Sequence, residues 1–259
     1  MPSKQAKIIS ITNQKGGCGK TTTAINLAVA LANQGQRVLC IDFDSQANLT
    51  MGLGCAYPDD LEDNISRILR SQISGLDPLP NILTSHGVDF IPASIELATL
   101  EQQLISTMSR ETVLKRFLQQ FKDNYDYIII DCLPSLNVLT VNALVACDEI
   151  IIPVQSQYFS LKGLEMLLNT TMEIKAQLNP NLAIAGILFT MFDRRSNHQQ
   201  AAIDLVKVTY EGTIPFFDTI VPLSVKVSDL QSMGKPIVGD KTNQVGEAYQ
   251  VFAKEFHSK

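Results

Sequence analysis

The chain alternates short, near-continuous apolar runs with longer stretches in which apolar residues return every three or four positions. The runs predict strands at 7–12, 37–42, 88–92, 127–131, 149–154 and 183–189. Helical periodicity covers 20–33, 95–106, 111–121, 138–146, 161–177 and 199–210. The strands are rich in Val, Ile and Leu without polar alternation, so both of their faces must be covered. This order predicts an α/β fold: one doubly wound, mostly parallel sheet with helices on both faces, a single domain over 1–259. Ligands of such sheets bind at the carboxyl ends of the strands. No internal repeat, low-complexity tract or linker interrupts the pattern. The stretch 57–80 is richest in Pro, Gly and Asp and reads as a surface excursion with one short helix at 61–69. The last helix carries Val245, Ala248, Tyr249, Phe252 and Phe256 on one face, which is core spacing.

Composition bounds the possibilities. With 259 residues, 45% of them hydrophobic, the chain has enough for one large domain with a sizeable core. No apolar run reaches the ~18 residues that cross a membrane. Residues 1–7 are polar and lack a signal-peptide pattern, so a cytoplasmic location is expected. The net charge of −5 excludes a globally basic nucleic-acid binder, and any DNA contact must come from a local patch. Cysteines 18, 40, 55, 132 and 147 form no CxxC pair, and their odd number fits reduced thiols. Cys40 and Cys147 sit among apolar neighbours and read as small core residues. Cys18 lies in a glycine-rich loop, either as an oxidisable thiol or as a tolerated small side chain.

That loop concentrates the chemistry. Asn13-Gln14-Lys15-Gly16-Gly17-Cys18-Gly19-Lys20-Thr21-Thr22 follows the apolar run Ile8-Ile9-Ser10-Ile11-Thr12 and opens a helix at Lys20. Glycines let backbone N–H groups turn onto phosphate oxygens, and the helix N-terminus adds partial positive charge. Lys20 is placed to neutralise β- and γ-phosphates, and the Thr21 hydroxyl to ligate Mg²⁺. Two further strands end in acids. One runs into Asp42-Phe43-Asp44-Ser45-Gln46, where one carboxylate can face Mg²⁺ through water and the other the γ-phosphate or the attacking water. The other, Tyr125-Asp126-Tyr127-Ile128-Ile129-Ile130-Asp131, ends in a carboxylate suited to orient a Mg²⁺-bound water.

Lys15 through Thr22 resembles the deviant Walker A box of the ParA/MinD family of P-loop ATPases, with Gln14 where the ordinary motif has glycine. The resemblance implies a P-loop NTPase fold, ATP and Mg²⁺ as cofactors, and a nucleotide-sandwich dimer in which Lys15 reaches the partner's phosphates. Asp42 to Gln46 is similar to the family's Asp-x-Asp-Pro-Gln, which makes Asp44 the hydrolytic residue. Ser45 replaces the usual proline and Ala47 a usual glycine. Cys132-Leu133-Pro134-Ser135-Leu136-Asn137 looks like Asp-x-Pro-Pro-Ser-Leu-Gly after its acid, with Leu133 and Asn137 departing from it. Lys15, Lys20 and Asp44 are thus the implied catalytic residues. Thr21, Asp44 and Asp131 are the implied metal residues. Gly16, Gly17, Cys18, Gly19 and Thr22 join the lysines and Thr21 around the phosphates.

The resemblance extends over almost the whole chain. Residues 91–98, the segment Pro153-Val154-Gln155-Ser156-Gln157-Tyr158-Phe159, Thr190-Met191-Phe192-Asp193 and residues 221–229 all have family counterparts. In relatives the backbone around the proline of the last segment meets adenine, which implies Pro222 and Ser224 here. The small ParA branch of partition ATPases is the best fit, because the loop begins within 15 residues of Met1 and leaves no room for the DNA-reading extension of larger plasmid relatives. Such a protein is expected to dimerise on ATP and to bind DNA without sequence preference on the nucleoid. A ParB-like or other adaptor on its cargo would trigger slow hydrolysis.

Candidate DNA contacts are Arg194, Arg195, Lys226 and Lys235, with Lys207 and Lys241 as further cations. The family has arginines at the positions of Leu223 and Lys226, so one charge is missing. Residues 151–259 hold ten Lys/Arg and ten Asp/Glu, a net of zero. A MinD-like membrane-surface switch would need a basic amphipathic C-terminal helix, where only Lys254 and Lys259 are basic, so no membrane partner is expected. An iron–sulfur reductase of related fold would need a cysteine pair at cluster-ligand positions, and Cys132 alone is not one. An ATPase that positions a protein cluster or carboxysome would use the same residues.

Overall fold

Nearly all of the predicted strands and helices are present in the structure, a computed structural model that describes residues 5–76, 78–155, 161–240 and 242–258. Ser156 to Phe159 of the family-like segment, Lys241 and Lys259 lie outside the described residues. The strands are β1 (Lys7–Ile11), β2 (Val38–Phe43), β3 (Leu83–Ser85), β4 (Val88–Ile91), β5 (Tyr127–Cys132), β6 (Glu149–Gln155), β7 (Ala183–Phe192) and β8 (Phe216–Pro222). They form one eight-stranded sheet in the order β3-β4-β2-β5-β1-β6-β7-β8. β3 and β4 pair antiparallel, and the other described pairings are parallel.

The helices are α1 (Lys20–Ala32), α2 (Asn48–Gly52), α3 (Ile65–Ile73), α4 (Glu96–Ile105), α5 (Val113–Leu118), α6 (Val138–Ala146), α7 (Leu161–Gln177), α8 (Asn197–Thr209), α9 (Lys226–Ser232) and α10 (Gln244–Ser258). They cover both faces of the sheet, which is why the strands carry apolar residues at successive positions. Leu39, Ile41, Ile128 and Ile130 point into one core with Leu69, Leu100, Phe117 and Leu167. Val38, Cys40 and Ile129 point into the other with Leu27, Leu31, Tyr249 and Phe252. Cys40 and Cys147 are fully buried, one in each core, as small core residues should be.

The departures from expectation have local reasons. α3 lies at Ile65–Ile73 instead of 61–69 because Asn64 caps it: its Oδ1 accepts from the N–H groups of Ser66 (3.0 Å) and Arg67 (3.2 Å). β8 continues the parallel sheet beyond β7, and its half-polar sequence does not read as a buried run. On the face of α10 that carries core spacing, Ala248 is half-buried and the other four residues are buried. Val245, Tyr249, Phe252 and Phe256 are covered, and Phe252 meets Phe217 of β8 edge-on at 4.8 Å.

The close fit of α10 rests on Gly246. A Cβ there would lie 2.5 Å from the Ile237 carbonyl oxygen and 3.0 Å from that of Asp240, both backbone atoms. Gly246→Ala is therefore expected to destabilise the protein by about 1–3 kcal/mol, even though alanine favours helix. Urea unfolding of the two proteins measures it, and an unchanged midpoint would contradict this packing.

Candidate nucleotide-binding site

The three central strands end level with one another. Ile11 of β1 and Asp42 of β2 both sit opposite Asp131 of β5. The glycine-rich loop leaves β1 at this level and is held by the two strands that follow β1 in the sheet, β6 and β7. The Asn13 amide donates to the Pro153 carbonyl of β6 (2.7 Å) and accepts from the Lys15 N–H (3.0 Å). The Thr190 hydroxyl of β7 donates to the Cys18 carbonyl (2.8 Å). Gly17 (φ +69°) and Gly19 (φ +88°) take left-handed conformations that a side chain would strain. α1 then begins with no side-chain cap and no acid in its first turn, so its first N–H groups face the cavity without an internal partner.

Lys20 is buried and bends back over the loop, its Nζ donating to the Lys15 carbonyl at 3.0 Å. Lys15 itself is half-buried, and burial pushes its ammonium below the usual lysine range. The Cys18 side chain is fully buried and donates to the Lys15 carbonyl (3.2 Å), and burial pushes its thiol up. An oxidisable surface thiol at position 18 is therefore excluded; the small side chain fills the underside of the loop.

The acids divide into distinct environments. Asp44 is nearly buried but lines the phosphate-side cavity, and its Oδ1 accepts from the Gln46 N–H at 3.0 Å. Asp42 does not share that position with it, contrary to the expectation of two carboxylates facing the metal and the water. It is fully buried and accepts from the Thr50 N–H (2.8 Å), the Thr50 hydroxyl (2.6 Å) and the Asp44 N–H (3.3 Å), which ties β2 to α2. Burial pushes its carboxyl up to about 7 against those bonds.

Asp131 is also fully buried, yet among the described residues neither carboxylate oxygen has a hydrogen-bond partner of good geometry. Burial and then the charge of Asp42 push it well above the carboxylate range, while the nearby Thr21 hydroxyl and Lys20 ammonium pull the other way. A buried, unpartnered carboxylate beside a threonine hydroxyl fits a divalent cation. Among the described residues no group of three or more His, Cys, Asp or Glu could enclose a metal alone. The donor set suits Mg²⁺ held partly by protein and partly by phosphate.

Two cavities meet over the loop. One of about 290 Å³ is lined by Gly16, Gly17, Lys20, Thr21, Asp44 and Pro134, with Lys15 outside the lining. The second, about 370 Å³ and more apolar, is lined by Val221, Pro222, Ser224, Val227, Val245 and Tyr249. Gly19, Thr22, Met191 and Gln231 belong to both. The structure thus gathers Lys20, Thr21, Asp44 and Asp131 at one end, and Pro222 and Ser224 at the other. Gln231 went unread in the sequence, since it is a polar residue on a short helix that fully buries none of its residues.

The four candidate DNA contacts are more dispersed. Arg194 and Arg195 follow β7, Lys226 opens α9 and Lys235 lies beyond its end. Arg195 pairs with Asp193 (3.0 Å) and Lys226 with Asp240 (3.7 Å), both as surface pairs that contribute little. Arg194 and Lys235 are exposed.

A doubly wound parallel sheet with this loop between β1 and α1, and an acid ending β5, defines a P-loop nucleotide-binding protein. The family described as AAA domain matches residues 6–184. The chain is 46% identical over 250 residues to the sporulation initiation inhibitor protein Soj of Bacillus subtilis, covering 96% of this chain and 97% of that protein. It is 41% identical over 256 residues to the chromosome-partitioning ATPase Soj of Treponema pallidum, covering 96% of each. Among solved structures, cobyrinic acid a,c-diamide synthase of Mycobacterium smegmatis with bound ADP and magnesium superposes with a TM-score of 0.83 at 32% identity, covering 96% of this chain and 93% of that one. The chain belongs to the ParA/Soj family of ATPases.

Asp131, like Asp42, makes the nucleotide-free protein less stable as pH rises. An unfolded aspartate titrates near ~3.9, and the folded group titrates higher. Between the two values the native state binds more protons than the unfolded state, so stability falls as pH rises through that window and stays lower above it. Asp131→Asn is therefore expected to raise the stability of the nucleotide-free protein by about 1–3 kcal/mol at pH 8, with the gain vanishing below about pH 4. Denaturant unfolding across that range checks it; a loss of stability at pH 8 would contradict an unpartnered Asp131.

Proposed function

We propose that this chain, acting as one domain over 1–259, is a partition or positioning ATPase that ATP closes into a dimer. The observation that carries the reading is the division between two lysines of one loop. Lys20 lines the phosphate cavity, whereas Lys15 lies outside its lining, and by the family likeness Lys15 is the residue that reaches the phosphates of a second copy. In this reading Lys20 and the loop glycines Gly16, Gly17 and Gly19 hold the β- and γ-phosphates. Thr21 and Asp131 hold Mg²⁺, which supplies charge neutralisation at the phosphates when bound. Asp44 orients the attacking water and accepts its proton, a role worth ~10²–10⁴ in rate. Pro222 and Ser224 bound the adenine side.

The family supplies the rest of the proposal. The dimer works in the cytoplasm, binds nucleoid DNA without sequence preference through Arg194, Arg195, Lys226 and Lys235, and is released when a ParB-like adaptor on the cargo stimulates slow hydrolysis. The name of the Treponema relative, a chromosome-partitioning ATPase, supports that cargo class. A membrane-surface role is disfavoured because the apolar face of α10 is spent on the core. Among the described residues no helix is long and apolar enough to cross a membrane.

Light scattering tests the dimer. Mass should double with ATP and not with ADP. Lys15→Ala should abolish the doubling while ATP still binds the monomer, Lys20→Ala should lose both, and Asp44→Ala should trap the ATP dimer. One mass under all nucleotide conditions, including Asp44→Ala, would overturn the reading.

DNA binding is tested by gel shift with the ATP-bound Asp44→Ala protein. Few phosphates are neutralised per dimer, so the shift should appear at low salt and fade at moderate salt. Arg194→Glu and Lys226→Glu should each weaken it. A trapped dimer that ignores DNA even at low salt would remove the nucleoid from the account.

A further inference from the structure

We propose that Gln231 of α9 recognises a ribose hydroxyl of the bound nucleotide, an inference that rests on the nucleotide reading above. A nucleotide with its phosphates on the α1 N-terminus and its base in the apolar cavity must pass its sugar through the joint between the two cavities. Four residues line both: Gly19, Thr22, Met191 and Gln231. Gly19 has no side chain and Met191 offers only a thioether. The polar side chains at the joint are therefore Thr22 and Gln231.

These two already engage each other. The Thr22 hydroxyl donates to Gln231 Oε1 at 3.3 Å across 209 residues of sequence. That bond satisfies the Thr22 proton and orients the amide. It leaves Gln231 Nε2 with no acceptor among the described residues, so the amide can still donate a hydrogen bond. A neutral donor fixed at sugar depth matches a ribose hydroxyl and not a phosphate, for which Lys20 and the α1 N–H groups are already placed.

The side chain is also held from behind. A Cβ on Gly52 of α2 would lie 2.5 Å from Ile25 Cδ1, 3.3 Å from Gln231 Cγ and 3.7 Å from Gln231 Nε2, so the glycine at 52 leaves room for both side chains. The amide is thereby packed between α1 and α2 although α9 buries no residue outright. Pre-organisation of this kind lets one hydrogen bond discriminate between sugars, because little side-chain freedom remains to be lost on binding.

The test uses titration calorimetry of the full chain with Mg²⁺ and ADP, 2′-deoxyADP or 3′-deoxyADP, which avoids turnover. The wild-type protein should bind ADP about fivefold more tightly than one of the deoxynucleotides, the worth of one neutral hydrogen bond. Gln231→Leu should lower ADP affinity about fivefold, leave that deoxynucleotide unchanged, and so bring the ratio to about one. The unchanged deoxynucleotide affinity reports that the fold and phosphate site are intact. A wild-type protein indifferent to both hydroxyls, a variant that keeps the wild-type ratio, or equal losses for all three nucleotides would each overturn the proposal. If the wild-type protein binds no ADP at all, the nucleotide reading itself falls and takes this inference with it.

Discussion

Two carboxylates are buried side by side in the middle of the sheet, Asp42 and Asp131, opposite each other in register. Burying a charge is expensive unless it is paired or hydrogen-bonded. Asp42 meets that cost with three hydrogen bonds and in doing so anchors α2. Asp131 has no such set. The strand end is therefore electrostatically incomplete, and the groups nearest to completing it are the Thr21 hydroxyl and the Lys20 ammonium of the loop above. A cation bridging Asp131 and Thr21 would remove the conflict, and phosphate bound to the loop would hold the cation.

The topology makes this junction unavoidable. β1 lies between β5 and β6, so the residues that follow its loop, Lys20 and Thr21, come close to Asp131 at the end of β5. Asn13 and Thr190 clamp the loop to β6 and β7, and its glycines carry the left-handed turns that bring it into α1. The opposite wall comes from the C-terminal segment: β8, α9 and α10 form the apolar cavity, and Gln231 links it to the α1 N-terminus. Phosphate-side and base-side halves of the site thus come from opposite ends of the chain.

The central strands were legible because their apolar runs are continuous, and the acids that end them mark the site. Lys20, Thr21, Asp44 and Asp131 meet where spacing and motif implied. Elements that lack a continuous apolar signal were missed. β3 is a three-residue antiparallel edge, and β8 mixes exposed Asp218 with buried Phe217 and Val221. α2 spans five residues, and α9 buries none. The start of α3 was legible in principle, since Asn64 is a capping residue, but the apolar Leu61 drew the boundary too early. Spacing alone leaves Asp42 and Asp44 interchangeable and the family segment singles out Asp44; the fold adds Thr50 as the partner of Asp42 and puts Asp44 on the cavity. Gln231 had no sequence signal, because its meaning depends on Thr22 at the far end of the chain.

The account centres on a cation and a nucleotide that complete the buried acids together, and thermal unfolding of the wild-type protein tests this most directly. Melting is compared with no addition, Mg²⁺ alone, ATP with EDTA, and ATP with Mg²⁺. Ligands that bind the native state stabilise it in proportion to their affinity. The account predicts little shift from Mg²⁺ alone, a small one from ATP in EDTA, and a much larger rise when both are present. Equal stabilisation by ATP with and without Mg²⁺ would contradict it, because the Asp131 carboxylate would then gain nothing from the bound nucleotide.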